Sequence, residues 1–157
     1  MIFYLFRHGD TYCSKYGYPY GKQIESAEII HDGVSQAKEI AAKLDKEEVG
    51  VIYSSPIKRC VQTVEIIKKE VPAIEVVFSQ RLEEEKVSRG LENLKDLTQR
   101  IKAFLDEIKT VESEKVGVCS HGWPLAVIIA ILKKRNILKF DLSNYPKCGE
   151  LVLIDTE

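Results

Sequence analysis

The sequence has no surplus of charge of either sign and no long apolar run. Lysine and arginine total 23, aspartate and glutamate total 24, and the formal net charge is -1 at pH 7. This balance gives no electrostatic basis for binding nucleic acid or a membrane surface. No apolar stretch approaches the roughly 20 residues that a membrane-spanning helix needs. We therefore expect neither nucleic acid nor a membrane among the partners.

The sequence also contains no closely spaced pair of cysteines, and we expect no signal peptide. The four cysteines (Cys13, Cys60, Cys119 and Cys148) form no C-x-x-C pair, and no cluster of histidines lies near them. A zinc site is therefore not expected. Met1 leads directly into an apolar, strand-like run, which is not the pattern of a signal peptide. We expect a cytoplasmic protein with reduced cysteines and without a metal or other cofactor.

The alternation of strand-like and helix-like stretches predicts the fold class. The 157 residues are 45% hydrophobic, enough for one domain with a sizeable core, and no repeat or linker divides them. We expect a single domain over 1–157. The order of elements predicts a three-layer α/β/α sandwich with a mostly parallel central sheet. The predicted strands are 2–6, 49–53, 74–78, 115–119 and 149–155.

Capping residues and apolar periodicity predict the helices between these strands. Asp32 is the predicted N-cap of the first helix and Ser55 that of the second, with Pro56 in its first turn. An amphipathic helix is predicted over 92–111, and a very apolar one over 125–132, opened by Trp123-Pro124.

A long segment rich in tyrosine, glycine and proline, residues 10–31, separates the first strand from the first helix. Glycine and proline at this density predict a loop without regular structure. Because loops of this length in compact domains are usually functional, we expect it to cross the mouth of a site. The alternative is a plain surface loop whose tyrosines pack on the body.

Cationic and titratable side chains follow four of the predicted strands. Arg7 and His8 follow the first strand, Arg59 the second, Glu84 the third and His121 the fourth. Because the carboxyl ends of parallel strands share one edge of a sheet, these groups should converge in one crevice. Taken singly, each has a simpler interpretation as a surface residue or part of a charged turn. Their common position favours a functional site.

Five short motifs occur in a fixed order along nearly the whole chain. They are R-H-G-x-T at 7–11, G-x-x-Q-A at 33–37, S-S-P-x-x-R-x-x-Q-T at 54–63, L-x-E at 82–84 and S-H-G at 120–122. The ordered set resembles the histidine phosphatase superfamily, also called phosphoglycerate mutase-like. The resemblance implies that fold and a metal-independent phosphatase with a phosphohistidine intermediate.

The resemblance also implies a role for each site residue. His8 would take the phosphoryl group, Arg7, Arg59 and His121 would bind it, and Glu84 would donate the proton to the leaving group. This chemistry requires one unprotonated nitrogen on His8, and a hydrogen bond to the other nitrogen would fix the tautomer. Glu84 must be protonated beforehand, and a phosphate dianion beside it would favour that. His121, if protonated, would add a further donor to phosphate.

Gly9, Thr11 and Ser14 complete the expected phosphate-binding set. The family has an asparagine where Ser14 stands, and a serine can still donate one hydrogen bond. The L-x-E spacing is the basis for choosing Glu84 as the proton donor, and the neighbouring Glu83 and Glu85 remain alternatives. The family's G-x-W-E-G stretch is missing from this sequence. In this respect the chain resembles the small phosphatases of the superfamily. Further along, Glu92, Asp96 and Arg100 match a later family pattern.

A phosphatase acting on a phosphomonoester or a protein phosphohistidine is the leading functional prediction. The partner is accordingly a phosphorylated small molecule or a phosphoprotein. One alternative is a phosphomutase of the phosphoglycerate mutase type, which would need to exclude water from the phosphoenzyme. The other is a non-catalytic, phosphate-binding regulatory module. The sequence leaves the individual substrate and the oligomeric state open.

Overall fold

A five-stranded sheet lies between two layers of helices in the computed structural model, which describes all 157 residues. The strand order is β3-β2-β4-β1-β5, and only β5 runs antiparallel to its neighbour. The strands are β1 (Ile2–Arg7), β2 (Val51–Ser54), β3 (Glu75–Phe78), β4 (Lys115–Ser120) and β5 (Leu151–Asp155). The predicted, mostly parallel sheet is confirmed.

Helices cover both faces of the sheet. They are α1 (Tyr12–Tyr16), α2 (His31–Lys46), α3 (Lys58–Glu70), α4 (Leu94–Ile108) and α5 (Gly122–Leu132). Side chains of a strand alternate between faces, so Tyr4 and Phe6 of β1 join the core with α2 and α3. Phe3 and Leu5 join the larger core with α4 and α5. The prediction of a three-layer sandwich is confirmed. None of these helices is long and apolar enough to span a membrane.

Two predicted helix caps are wrong. The first residue of α2 is His31, so Asp32 lies within its first turn, and its carboxylate pairs with Lys15 at 2.7 Å. A carboxylate is favoured there by the helix dipole even without capping. The second cap fails because α3 begins at Lys58, after Ile57. The Ser55 hydroxyl instead accepts a hydrogen bond from the Ile57 amide at 3.2 Å, ahead of the helix.

Three other boundaries also differ from the predictions. The segment 10–31 contains α1 and a 3-10 turn over Gly21–Gln23, because Thr11 and Ser14 form a capping box that starts α1. The helix predicted over 92–111 is α4, which starts after the capping residue Asn93 and ends earlier. The apolar helix α5 starts directly after His121.

Strand register brings the ends of β1, β2 and β4 together. Arg7 of β1 is paired with Ser120 of β4, and the His8 amide donates to the Ser120 carbonyl at 3.2 Å. Ser54 of β2 is paired with Cys119 on the other side of β4. The residues that follow these pairs therefore leave the sheet next to one another. The predicted convergence at this edge is confirmed.

Candidate active site

His8 is fully buried and held in one tautomer. Its Nδ1 lies 2.8 Å from the Gly9 carbonyl oxygen, which can only accept, so Nδ1 carries the proton. Nε2 keeps its lone pair and accepts a hydrogen bond from Arg59 Nε at 3.1 Å. Burial, followed by the positive charges of Arg7 and Arg59, holds the pKa of His8 well below its usual value. The ring is therefore neutral near pH 7, with Nε2 available as a nucleophile.

Arg59 connects the nucleophile to the acid and to the tyrosine-rich loop. It is fully buried. Its Nη2 pairs with Glu84 Oε2 at 3.0 Å, and Nη1 donates to the Ile24 carbonyl. The Tyr20 ring lies 4.2 Å from the guanidinium carbon, in a cation–π contact. A buried charge is tolerated when it is paired and hydrogen-bonded in this way.

Two buried nitrogens, Arg7 Nε and His121 Nδ1, have no hydrogen-bond partner in the protein. Leaving such a group unpaired costs about 1–3 kcal/mol. The Arg7 guanidinium carbon lies 5.2 Å from the centre of the Tyr145 ring. The His121 ring lies 5.4 Å from that of His8. Both unpartnered donors thus lie beside the proposed nucleophile, where an anion would satisfy them.

His121 is neutral as well as buried. Burial, then the positive charges of Arg59 and Arg7, hold its pKa well below the usual value. The lowered pKa favours the neutral ring, which offers a single N–H, over the protonated ring, which would offer two. Its Nε2 lies 2.9 Å from the Ser55 hydroxyl. The Ser55 side chain thus contributes to the site rather than to a helix cap.

Glu84 is the glutamate of the triplet that reaches this site. Its side chain is 13% exposed, and Oε2 lies 3.4 Å from His121 Nδ1 in addition to its contact with Arg59. Burial raises the pKa of Glu84, and the positive charge of Arg59 opposes that rise. The preceding Leu82 is fully buried, as the L-x-E spacing predicts. These surroundings favour a carboxyl group that keeps its proton to higher pH.

Glu83 and Glu85 have other partners. Glu83 pairs with Lys86 at 3.2 Å. Glu85 accepts hydrogen bonds from the amide and the hydroxyl of Ser88, at 2.8 and 2.5 Å. Of the three glutamates, only Glu84 contacts Arg59 and His121. The assignment of the proton donor to Glu84 therefore has direct geometric support.

The glycines of the first two motifs let the loop after β1 lie against α2. A Cβ on Gly9 would lie 2.6 Å from the Gly33 carbonyl oxygen, and one on Gly33 would lie 2.5 Å from the Asp10 carbonyl oxygen. The Gly9 amide also donates to the Thr63 hydroxyl at 2.9 Å. Gly9 thus sets the position of the backbone on which His8 is carried.

Thr11 and Ser14 support the same loop. The Thr11 hydroxyl lies 3.0 Å from the Tyr20 hydroxyl. The Ser14 hydroxyl donates to Asp10 Oδ1 at 2.7 Å, and neither residue lines the pocket. The structure therefore does not support the expected hydrogen bond from Ser14 to phosphate, because that hydroxyl is already directed at a carboxylate.

A pocket of about 340 Å³ opens in front of these buried groups. Arg7 and Glu84 line it, whereas His8, Arg59 and His121 are fully buried next to them. The segment 19–24 lines it through Pro19, Tyr20, Gly21 and Ile24, which confirms the prediction that the tyrosine-rich loop crosses the mouth of the site. Tyr12, Tyr16 and Tyr18 of the same loop are exposed.

Four further residues that line the pocket, Ser88, Arg89, Trp123 and Tyr145, were missed by the sequence reasoning. Trp123 follows S-H-G directly, so its place next to that motif was a usable signal. Tyr145 lies in an irregular stretch, and no pattern marks it. A Cβ on Gly122 would lie 2.7 Å from the Tyr145 ring, so the glycine of S-H-G allows this ring to reach the pocket. No group of three or more His, Cys, Asp or Glu side chains is arranged to hold a metal ion.

Comparison with known proteins places the chain in a family. Residues 3–89 and 76–153 match the model of the histidine phosphatase superfamily (branch 1). Phosphoserine phosphatase 1 from Hydrogenobacter thermophilus is 28% identical over 167 aligned positions, covering 87% of this chain and 78% of that protein.

Solved structures agree on the fold. A mycobacterial glucosyl-3-phosphoglycerate phosphatase superposes with a TM-score of 0.79 at 17% identity, covering 97% of this chain and 90% of that one. The alpha-ribazole phosphatase from Shigella flexneri gives 0.77 at 17% identity, covering 99% and 90%. The family match spans almost the whole chain and includes every motif of the site. The chain belongs to the histidine phosphatase superfamily, branch 1.

Proposed function

We propose that this chain, as a single domain, hydrolyses a phosphomonoester through a phosphohistidine formed on His8 Nε2. One observation carries the proposal: His8 Nδ1 is committed to the Gly9 carbonyl, so the lone pair is on Nε2, which faces the buried cation Arg59. A nucleophile of this kind, surrounded by donors that can stabilise charge on phosphoryl oxygens, suits phosphoryl transfer.

In the first step His8 Nε2 attacks phosphorus while the bond from phosphorus to the ester oxygen breaks. Arg7, Arg59 and His121 bind the other phosphoryl oxygens, and Glu84 gives its proton to the leaving alkoxide. Because Arg59 Nε hydrogen-bonds to Nε2, the guanidinium must turn from the nucleophile to the phosphate as substrate enters. Binding therefore exposes the lone pair that the arginine otherwise covers.

In the second step water attacks the phosphorus of the phosphohistidine. The carboxylate of Glu84 accepts a proton from that water, the bond between Nε2 and phosphorus breaks, and inorganic phosphate leaves. The two steps return both residues to their starting states without a metal or another cofactor. A pocket of about 340 Å³ suits a small phosphorylated molecule. A cytoplasmic location is part of the same proposal.

Trapping of the phosphoenzyme tests this function. The chain is incubated with a phosphomonoester labelled in its phosphate, quenched without acid and mapped by peptide. We expect label on His8, loss of label and of turnover in His8→Ala, and unchanged turnover with excess chelator. His31→Ala removes an exposed histidine and serves as the matched control. Label on another residue, or turnover near that of the parent in His8→Ala, would overturn the mechanism.

A further inference from the structure

We propose that Gln36 is a positioning residue for the nucleophile. Acting through the peptide group that joins Gly9 to Asp10, it holds His8 in the tautomer that leaves Nε2 unprotonated. This inference rests on the proposed function, because it concerns how the nucleophile of that reaction is kept ready. Gln36 is the glutamine of G-x-x-Q-A, a motif that takes no direct part in the two chemical steps.

One peptide group connects Gln36 to the ring of His8. Its carbonyl, that of Gly9, accepts a hydrogen bond from His8 Nδ1 at 2.8 Å. Its amide, that of Asp10, donates to Gln36 Oε1 at 2.8 Å. Because a peptide group is planar, fixing the direction of the N–H also fixes the direction of the C=O. The hydrogen bond at the amide also strengthens the carbonyl as an acceptor.

The side chain of Gln36 is itself held in one orientation. Its Nε2 donates to Asp10 Oδ2 at 2.8 Å. A carboxylate only accepts, so Oε1 is the atom left for the main-chain amide of Asp10. The other carboxylate oxygen accepts from the Ser14 hydroxyl at 2.7 Å, which keeps Asp10 in place. Gly149 packs against the aliphatic part of Gln36, since a Cβ there would lie 2.7 Å from Gln36 Cγ.

The preceding peptide group, between His8 and Gly9, is held separately. Its N–H donates to the hydroxyl of Thr63 at 2.9 Å, and this buried hydroxyl donates to the Arg59 carbonyl at 2.7 Å. Gln36 is therefore the residue that fixes the second peptide. Without it, the Asp10 amide would turn toward water and take the Gly9 carbonyl away from the ring. The ring proton could then move to Nε2 and block the nucleophile.

Gln36→Leu tests this role because it removes both side-chain hydrogen bonds. In the parent, the ¹⁵N shifts of the His8 ring should show a protonated Nδ1 and an unprotonated Nε2. In the variant we expect the two shifts to move toward each other as both tautomers become populated. The single-turnover rate of phosphoenzyme formation should fall about 10- to 100-fold, as for a misplaced reacting group. The loss should be equal for an alkyl phosphate and 4-nitrophenyl phosphate, because both need the nucleophile.

Gln62→Leu is the matched control. Gln62 is half-buried like Gln36, belongs to another of the five motifs, and accepts a main-chain amide, that of Ile29, at 2.9 Å. It has no hydrogen bond to the peptide that holds His8, so its removal should leave the ring shifts and the rate unchanged. Parent-like shifts or a parent-like rate in Gln36→Leu would overturn the inference, as would the same changes in Gln62→Leu.

An exchange of donor and acceptor keeps the test decisive if Gln36→Leu does not fold. Gln36→Glu alone places two carboxylates against each other and should disturb the ring shifts and the rate. Adding Asp10→Asn restores both hydrogen bonds with reversed roles, because the new side-chain amide at position 10 can donate to the new carboxylate at position 36. We expect this double variant to recover the parent's shifts and at least tenfold in rate over Gln36→Glu. A double variant no better than Gln36→Glu would overturn the inference.

The proposed function has a separate readout in the same experiment. The ring shifts are measured on the free protein, whereas the phosphohistidine is measured with substrate. If the parent forms no phosphohistidine on His8, the proposed function fails whatever the shifts. If the parent forms it and Gln36→Leu keeps the parent's shifts, only the inference about Gln36 fails.

Discussion

Arg100 donates a hydrogen bond from Nη2 to the main-chain carbonyl oxygen of Glu84, at 3.1 Å. Its Nη1 donates to the carbonyls of Arg81 and Glu83, at 2.7 and 3.0 Å. The same guanidinium is paired with Glu92, which also accepts from the Lys86 amide at 2.8 Å. One arginine on α4 therefore fixes the backbone on both sides of the proposed acid, and Arg100 is a positioning residue.

Replacing Arg100 should impair proton donation selectively. Arg100→Lys keeps the charge but cannot reach three carbonyls, so we expect kcat for an alkyl phosphate to fall about 10- to 100-fold, within the range of a general acid. With 4-nitrophenyl phosphate, whose leaving group needs no proton, the loss should be several-fold smaller. Both rates are measured well below the melting temperature of the variant, with Glu84→Gln as reference. A purely structural role would instead lower both rates equally.

The pH dependence of kcat/KM should show an acid limb from His8 and a basic limb from Glu84. His8 must be neutral to attack, and its pKa is well below 6.5. Activity should therefore fall only when the pH drops through this lowered pKa. Glu84 must be protonated, and burial raises its pKa above 4.5, so activity should decline as pH rises through the raised value.

Glu84→Gln is therefore expected to remove the basic limb seen with an alkyl phosphate and to keep the acid limb. The second ionisation of the substrate, with a pKa of about 6, affects every variant alike. Glu83→Gln and Glu85→Gln serve as matched controls and should keep both limbs. A basic limb that persists in Glu84→Gln but disappears in one of the controls would reassign the acid to that neighbour.

The sequence was enough to predict the layered fold and the residues that meet at the edge of the sheet. Both depend on strong signals: apolar strands, helical periodicity, and charged residues at successive strand ends. The caps at Asp32 and Ser55 failed because a good capping side chain does not by itself fix where a helix begins. In each case tertiary partners, Lys15 and His121, engage the side chain instead.

Features that depend on side-chain conformation or on long-range contacts could not be predicted from the sequence patterns. The place of Ser14 after R-H-G-x-T predicts a hydrogen bond from its hydroxyl to phosphate. In the structure that hydroxyl donates to the carboxylate of Asp10 instead. Tyr145 reaches Arg7 from a segment that is distant in sequence and has no regular pattern. The protonation states of His8, Glu84 and His121 depend on burial, which becomes known only with the packed structure.

Gly33→Ala should destabilise the fold, whereas Gly50→Ala should not. A Cβ at position 33 would lie 2.5 Å from the Asp10 carbonyl oxygen, and main-chain atoms cannot move aside cheaply. We expect the free energy of unfolding to fall by about 1–3 kcal/mol, as for other overpacked sites. A Cβ on Gly50 would meet nothing within 4 Å, which makes it the matched control. Denaturant titration measures both, and equal stabilities would show that the loop after β1 yields without cost.

The contact between Ser55 and His121 should set which ring nitrogen of His121 donates to phosphate. The Ser55 oxygen already accepts a hydrogen bond from the Ile57 amide, and its own proton can be donated to His121 Nε2 at 2.9 Å. In that state the proton of the neutral ring is on Nδ1, the buried nitrogen that has no partner in the protein. Phosphate or vanadate would then receive a hydrogen bond from it.

Ser55→Ala removes the hydroxyl that holds this tautomer, so the proton can move to His121 Nε2 and the donor is lost. We expect inhibition by vanadate to weaken about tenfold, which is the size of one hydrogen bond to a charged group. The ¹⁵N shifts of the His121 ring should change in the same variant. Ser54→Ala is the control, because the buried Ser54 hydroxyl donates to the Ser55 carbonyl at 3.0 Å and not to the ring. Unchanged ¹⁵N shifts and unchanged inhibition in Ser55→Ala would show that the tautomer is set by another neighbour. Two are in reach: Cys60, whose Sγ lies 3.6 Å from Nε2, and Glu84, 3.4 Å from Nδ1.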